Sequence, residues 1–175
     1  GACGHLSRMD TVTLSIEVSD PALLPEGDLS GLLGALADKG AMLDILAGVM
    51  TDWERQNYAS EGATFGAPWA ALSGRTVAEK ARRGYSVRTL IQSGAMQAGA
   101  GQASAFGDDT VTTGWDLAAT PYVPYQQADV GNKPGRIVAA VVAGEVQEMQ
   151  DRLQQYLDDA GGGGATGITI TATMI

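Results

Sequence analysis

The sequence predicts an α+β fold, two long helices packed on an antiparallel sheet, with an N-terminal and a C-terminal strand. Three observations carry that expectation. Thr11–Val18 and Gly167–Met174 alternate apolar and polar residues with a period of two, as a strand with one buried face does. Two longer segments, one running to about Ser60 and one over Ala143–Ala160, repeat apolar residues at three-and-four spacing. Glycine and proline punctuate the rest, with 24 Gly and 6 Pro in 175 residues.

In chain order, Val12, Leu14, Ile16 and Val18 share one side of the first strand, and Asp20-Pro21 and Pro25–Asp28 break it. Ser30 or Asp38 caps the helix that follows. Its buried stripe is Met42, Ile45, Leu46, Val49, Met50 and Trp53, and Glu61-Gly62 ends it. Gly62–Leu72 (GATFGAPWAAL) then carries Trp69 on a loop. An indole wants burial for its face and a partner for its N–H, so this loop reads as a docked element. Trp53, Tyr58, Phe65 and Trp69 read as the cluster beneath it. Ser73 or Thr76 caps a short helix through Arg83, stopped by Gly84.

Val87–Ser93 is apolar enough to dock on the core. Ser104–Phe106 and Thr110–Thr113 flank Gly107-Asp108-Asp109 as a hairpin. Trp115 and Pro121–Tyr125 point to an extended stretch, since each Pro disfavours helix before it. Asn132–Gly135 is a turn. Val146, Met149, Leu153, Tyr156 and Leu157 line one face of the last helix. Residues 1–160 thus make the body of one domain, and 161–175 are its glycine hinge and C-terminal strand. A strand tethered by Gly161–Gly164 either pairs within its own chain or crosses to a neighbouring copy.

Composition narrows the function classes. The formal charge is -9, which disfavours a sequence-independent nucleic-acid binder. With one Cys (Cys3) and one His (His5), the chain lacks an internal disulfide and a cysteine or histidine metal cage. No membrane span and no signal segment is expected, and a lipoprotein start at Gly-Ala-Cys is set aside because nothing apolar precedes it. The expectation is a reduced, soluble protein made in the cytosol.

The glycine run lacks the Lys a phosphate cradle needs and follows a helix, not a strand. Ser93-Gly94 lacks the first glycine of a nucleophile elbow. Asp108-Asp109 and Asp158-Asp159 are neighbours whose carboxylates diverge. No catalytic, cofactor-binding or metal-binding residue is therefore assigned, and the chain is expected not to be an enzyme.

One charge pattern rises above the rest. Arg75, Lys80, Arg82, Arg83 and Arg88 place five of the eleven basic residues within fourteen positions. Glu145, Glu148, Asp151, Asp158 and Asp159 lie in the last long helix, relieved only by Arg152. Three readings are open: a solvated helix face, packing of one copy's basic face on the next copy's acidic face, and contact with DNA phosphate.

The order of landmarks from Leu43 to Leu157 resembles the tail-completion and virion-morphogenesis family of tailed phages. They are Trp53-x₄-Tyr58, Gly66-x₂-Trp69-x₂-Leu72-Ser73, the basic helix Thr76–Arg83, and Leu90-x₂-Ser93-Gly94-x-Met96. Tyr122-x₂-Tyr125-Gln126-Gln127, Lys133–Arg136 and the C-terminal helix complete the series. The chain has no histidine in the Tyr122–Asp129 segment, where family members often carry one, and only Pro134-Gly135-Arg136-Ile137 where they show a longer motif.

The resemblance implies a structural virion protein of the phage neck. It would be made in the host cytoplasm and form a homo-oligomeric ring, commonly of six copies. Its neighbours would be the head-tail connector or stopper protein on one side and the tail terminator or tail tube protein on the other. DNA would pass through the channel during ejection as a non-specific passenger, and no cofactor or membrane is implied. Trp69, Arg75, Lys80, Arg82, Arg83, Arg88, Glu145, Glu148 and Asp151 are the candidate subunit or partner interface. The alternatives are an assembly factor absent from the mature particle, or a non-phage interaction module or enzyme on a similar frame.

Overall fold

The computed structural model describes residues 12–18, 29–101, 105–116, 118–123, 126, 135–138, 140–161 and 168–174. These are mostly helical, with a small antiparallel sheet, an α+β fold in the loose sense. In order they are β1 (Val12–Val18), α1 (Leu29–Ala37), α2 (Lys39–Ala59), a 3₁₀ turn (Ala63–Phe65) and α3 (Gly74–Arg82). Then come α4 (Ala95–Gly99), β2 (Ala105–Phe106), β3 (Val111–Thr112), α5 (Ala143–Ala160) and β4 (Ile168–Met174).

The contacts group the chain into two compact units. One contains Asp10–Val49, Phe106–Val111 and Val141–Ile175. In it β4 pairs antiparallel with the chain's own β1, from Val12 opposite Met174 to Val18 opposite Ile168. Leu32, Ala35 and Leu157 form its buried centre, and Ile16, Ile170, Leu36 and Tyr156 pack around them. The sheet is therefore a two-stranded ribbon, narrower than the sequence suggests, and α5 packs on both α1 and β4. The Gln150 amide donates to the Ile170 carbonyl at 3.0 Å and ties helix to ribbon. Of the predicted stripe of α5, Val146, Met149, Leu153 and Leu157 are buried and Tyr156 is partly buried.

The helix expected to run to about Ser60 from a cap at Ser30 or Asp38 starts after Asp38, and α1 precedes it as a separate helix. Asp38 separates them, and its Oδ1 accepts from the Ala41 N–H at 3.0 Å, so it caps α2 while Ser30 lies inside α1. Gly107 N–H donates to the Thr110 carbonyl at 2.8 Å, closing the expected hairpin between β2 and β3.

The second unit contains Met50–Ala105 and Thr112–Ala140. Its core joins Tyr58, Trp69, Met96, Ala100, Trp115, Val123 and Val138. From the expected docking segment Val87–Ser93, Leu90 packs against this core and Thr89 and Ile91 are buried, although Val87 is exposed. Pro121–Val123 forms a turn instead of an extended stretch, with the Val123 N–H donating to the Thr120 carbonyl at 3.2 Å. The Pro before Tyr122 sets the turn, and Val123 is drawn into the core. The Asn132–Gly135 turn and the hinge from residue 162 onward fall outside the described residues, apart from Gly135.

Candidate partner interface

The loop carrying Trp69 begins where α2 stops. Glu61 and Gly62 take positive φ values of 50° and 95°, which turn the chain out of the helix. A Cβ at Gly62 would fall on the Trp69 indole and 2.7 Å from the Ala67 carbonyl oxygen, so only glycine fits. Trp69 N–H donates to the Glu61 carbonyl at 2.6 Å. The indole lies edge-on to Tyr58, with ring centroids 5.2 Å apart and planes at 79°.

Its Nε1–H donates to the Ile137 carbonyl at 2.9 Å. The Asn57 amide donates to that same oxygen at 2.9 Å, and Asn57 Oδ1 accepts from the Phe65 N–H at 3.3 Å. Asn57 is fully buried, and these bonds satisfy it. Trp69 is thus an internal anchor that fixes the loop. The exposed residues around it are Gly66–Pro68 and Ala70–Ala71.

The five cations separate into two groups. Lys80 Nζ donates to the Arg88 and Ile91 carbonyls at 2.6 and 2.5 Å, and desolvation lowers its pKa, partly offset by Glu61. Arg88 donates to the Tyr58 and Ala59 carbonyls at 3.0 and 2.8 Å, at the negative end of α2, and to Glu61 at 3.1 Å. These two hold loops to helix ends inside the chain. The hydrogen bond from Arg88 is the largest cause holding the Glu61 carboxyl below the usual range.

Arg75, Arg82 and Arg83 are exposed. Arg82 and Arg83 share Glu79, at 2.9 and 2.5 Å, and among the described residues Arg75 has no ion pair. Arg75 and Arg82 stand on α3 and Arg83 caps its C-terminal end; the N-cap is Ser73, with Oγ accepting from the Thr76 N–H at 3.2 Å. Gly84 follows at φ 72°, as expected.

The acidic candidates separate as well. Glu145 is 2% exposed and belongs to the interior, a place its position next to buried Val146 permits but does not announce. Glu148 is part-exposed beside Arg152 at 3.4 Å, and Asp151 is exposed, accepting from the Gln147 amide at 2.9 Å. Sequence reasoning missed Glu54, which is 5% exposed and pushed up to about pH 7 by burial. It also missed Asn57 as the knot of the loop.

Among the described residues no group of three or more His, Cys, Asp or Glu side chains is placed to hold a metal, and no helix is long and apolar enough to cross a membrane. No family model, curated protein or solved structure matches this chain.

Proposed function

We propose that this chain is a structural protein of the neck of a tailed phage, forming a ring that completes the tail and joins it to the head connector. The observation that carries this reading is the ordered run of landmarks from Leu43 to Leu157. The geometry at its centre supports it. The Trp69 loop is pinned by its indole, by its backbone and by Asn57, which suits a part that must hold one shape against neighbours.

A non-catalytic role fits the same site. Two buried polar side chains at the loop, Asn57 and Trp69, spend their hydrogen bonds on backbone carbonyls and amides. The -9 charge suits a channel wall, since negative charge repels DNA phosphates and lets a genome slide.

The test is mass spectrometry and cryo-imaging of purified particles from a phage encoding this sequence. The expected result is the chain in a closed collar between head and tail. Its absence from mature particles would replace this reading with that of an assembly factor.

A further inference from the structure

We propose that the outward face of α3 docks a second copy of this chain, received by the exposed acidic side of that copy's α5. The partner assignment rests on the reading of the chain as a ring-former.

The first observation is that α3 faces the wrong way. Amphipathic helices turn their apolar side to the core. In α3 no residue is buried, and Val77, Ala78 and Ala81 are all exposed, while the two better-covered side chains are Glu79 and Lys80. Lys80 explains the inversion, because its ammonium is tied to the Arg88 and Ile91 carbonyls. The apolar residues are thereby left outside, with Tyr85 and Val87 exposed just beyond the helix.

Charge identifies what covers this face. Arg75, Ala78, Glu79 and Arg82 line a shallow depression along one side of α3, and Arg83 follows. Glu79 offsets only part of this charge. DNA is a poor fit, since Glu79 lies among the cations and a phosphate backbone would leave Val77 and Ala81 uncovered.

The complement is on α5. Gln147, Asp151, Gln155 and Asp159 are exposed at every fourth position, with Glu148 and Asp158 beside them. The last turn of α5 holds no basic residue, so Asp158 and Asp159 stand at the negative end of the helix dipole, where cations are favoured. Leu33, 65% exposed on the neighbouring α1, offers an apolar contact from the same unit. A contact between two different faces repeats from copy to copy, and closes into a ring if the rotation allows.

The test is sedimentation velocity on the full chain at about 50 mM and about 500 mM sodium chloride, where screening of exposed charges differs severalfold in length. The parent is expected to self-associate at low salt, and about tenfold more weakly at high salt. Arg75→Glu/Arg82→Glu alone, and Asp151→Arg/Asp159→Arg alone, are expected to stay monomeric, since each opposes like charges. All four positions are exposed, and circular dichroism matching the parent's shows that the folds survive. An equimolar mixture of the two variants restores opposite charges at both contacts and is expected to associate as the parent does.

Association by either variant alone, no recovery in the mixture, a monomeric parent, or an Arg75/Arg82-dependent shift seen only with duplex DNA would each overturn the proposal. The two readings fail separately. A collar in particles with α3 turned away from its neighbour sinks this surface and spares the neck assignment. Copies joined through α3 and α5 in solution but absent from particles do the reverse.

Discussion

The carboxyl group of Glu54 is nearly enclosed on α2, with Thr113 Oγ1–H donating to its Oε1 at 3.3 Å. The Tyr58 hydroxyl, one turn later, is buried with no hydrogen-bond partner among the described residues. Burial is the largest cause lifting Glu54 to about pH 7, and the Thr113 bond opposes it only in part. The folded state therefore binds a proton that the unfolded chain releases near pH 4.5. The contribution to stability is complete below that value and is lost as pH rises through about 7. From this group alone the unfolding free energy is expected to fall by about 2–3 kcal/mol across that window. Glu54→Gln should flatten the fall, making the variant more stable than the parent at pH 8 and no more stable at pH 4.5. Urea titrations of both proteins at the two pH values measure it, and parallel curves would sink the account. Gly62 offers a second single-residue test. Gly62 and Gly66 both have φ near 90°, but a methyl group at Gly66 meets nothing within 4 Å, whereas at Gly62 it strikes Trp69. Gly66→Ala is expected to cost about 1 kcal/mol of backbone strain, and Gly62→Ala about 3 kcal/mol or more. Equal thermal shifts for the two would show that the indole does not sit against Gly62.

At the scale of elements, the end of α2 depends on one side chain. Arg88 lies 29 and 30 residues along the chain from the two carbonyls it caps. Arg88→Ala removes bonds from a charged donor to two carbonyls at the helix end, and should lower stability by about 1–2 kcal/mol. The half-exposed pair with Glu61 adds little to that. The same variant should let the Glu61 pKa rise toward normal, since the Arg88 bond is its main depressant; carboxyl chemical shifts against pH would read this. Losing that depression removes stability that is present above the unfolded pKa and lost on acidification, so the gap between parent and variant should narrow slightly at low pH, while the part due to the two carbonyl bonds remains. Arg88 also marks the boundary of what sequence reveals. Helix α5 was legible almost residue by residue, because its buried face is apolar and recurs at helical spacing. The far half of α2 was not. Its buried face runs through Glu54, Asn57 and Tyr58, and hydropathy cannot flag a face that mixes a carboxyl group neutralised by burial, an amide satisfied by Phe65 and Ile137, and a phenol. The cationic cluster was legible as a cluster in sequence. Whether a Lys or Arg reaches outward or bends back to a carbonyl is decided by tertiary contacts, as Lys80 and Arg88 show.

Across the whole molecule, the two ends of the described chain meet in one ribbon, with β1 and β4 in the same compact unit. Ile16 and Ile170 stand opposite each other and pack on the Leu32–Leu157 core, so this pairing fastens the last strand to α5's own unit. The identical register is open to a strand from another copy, because an antiparallel ladder recognises backbone and side-chain pattern whichever chain supplies them. A ring held by exchanged strands would survive dilution, whereas one held through exposed helix faces would respond to salt. A cysteine pair separates the two. Ser15 is exposed and directly opposite Thr171 on the ladder, and Cys3 is the only native thiol. In a Cys3→Ser chain carrying Ser15→Cys and Thr171→Cys, oxidation is expected to close the bond within one chain. Non-reducing gel electrophoresis should then show a single monomeric band, formed equally well at every protein concentration. Covalent dimers or ladders that grow with protein concentration would mean that β4 leaves its own β1 when copies associate, and that the glycine-rich tether serves to let it cross.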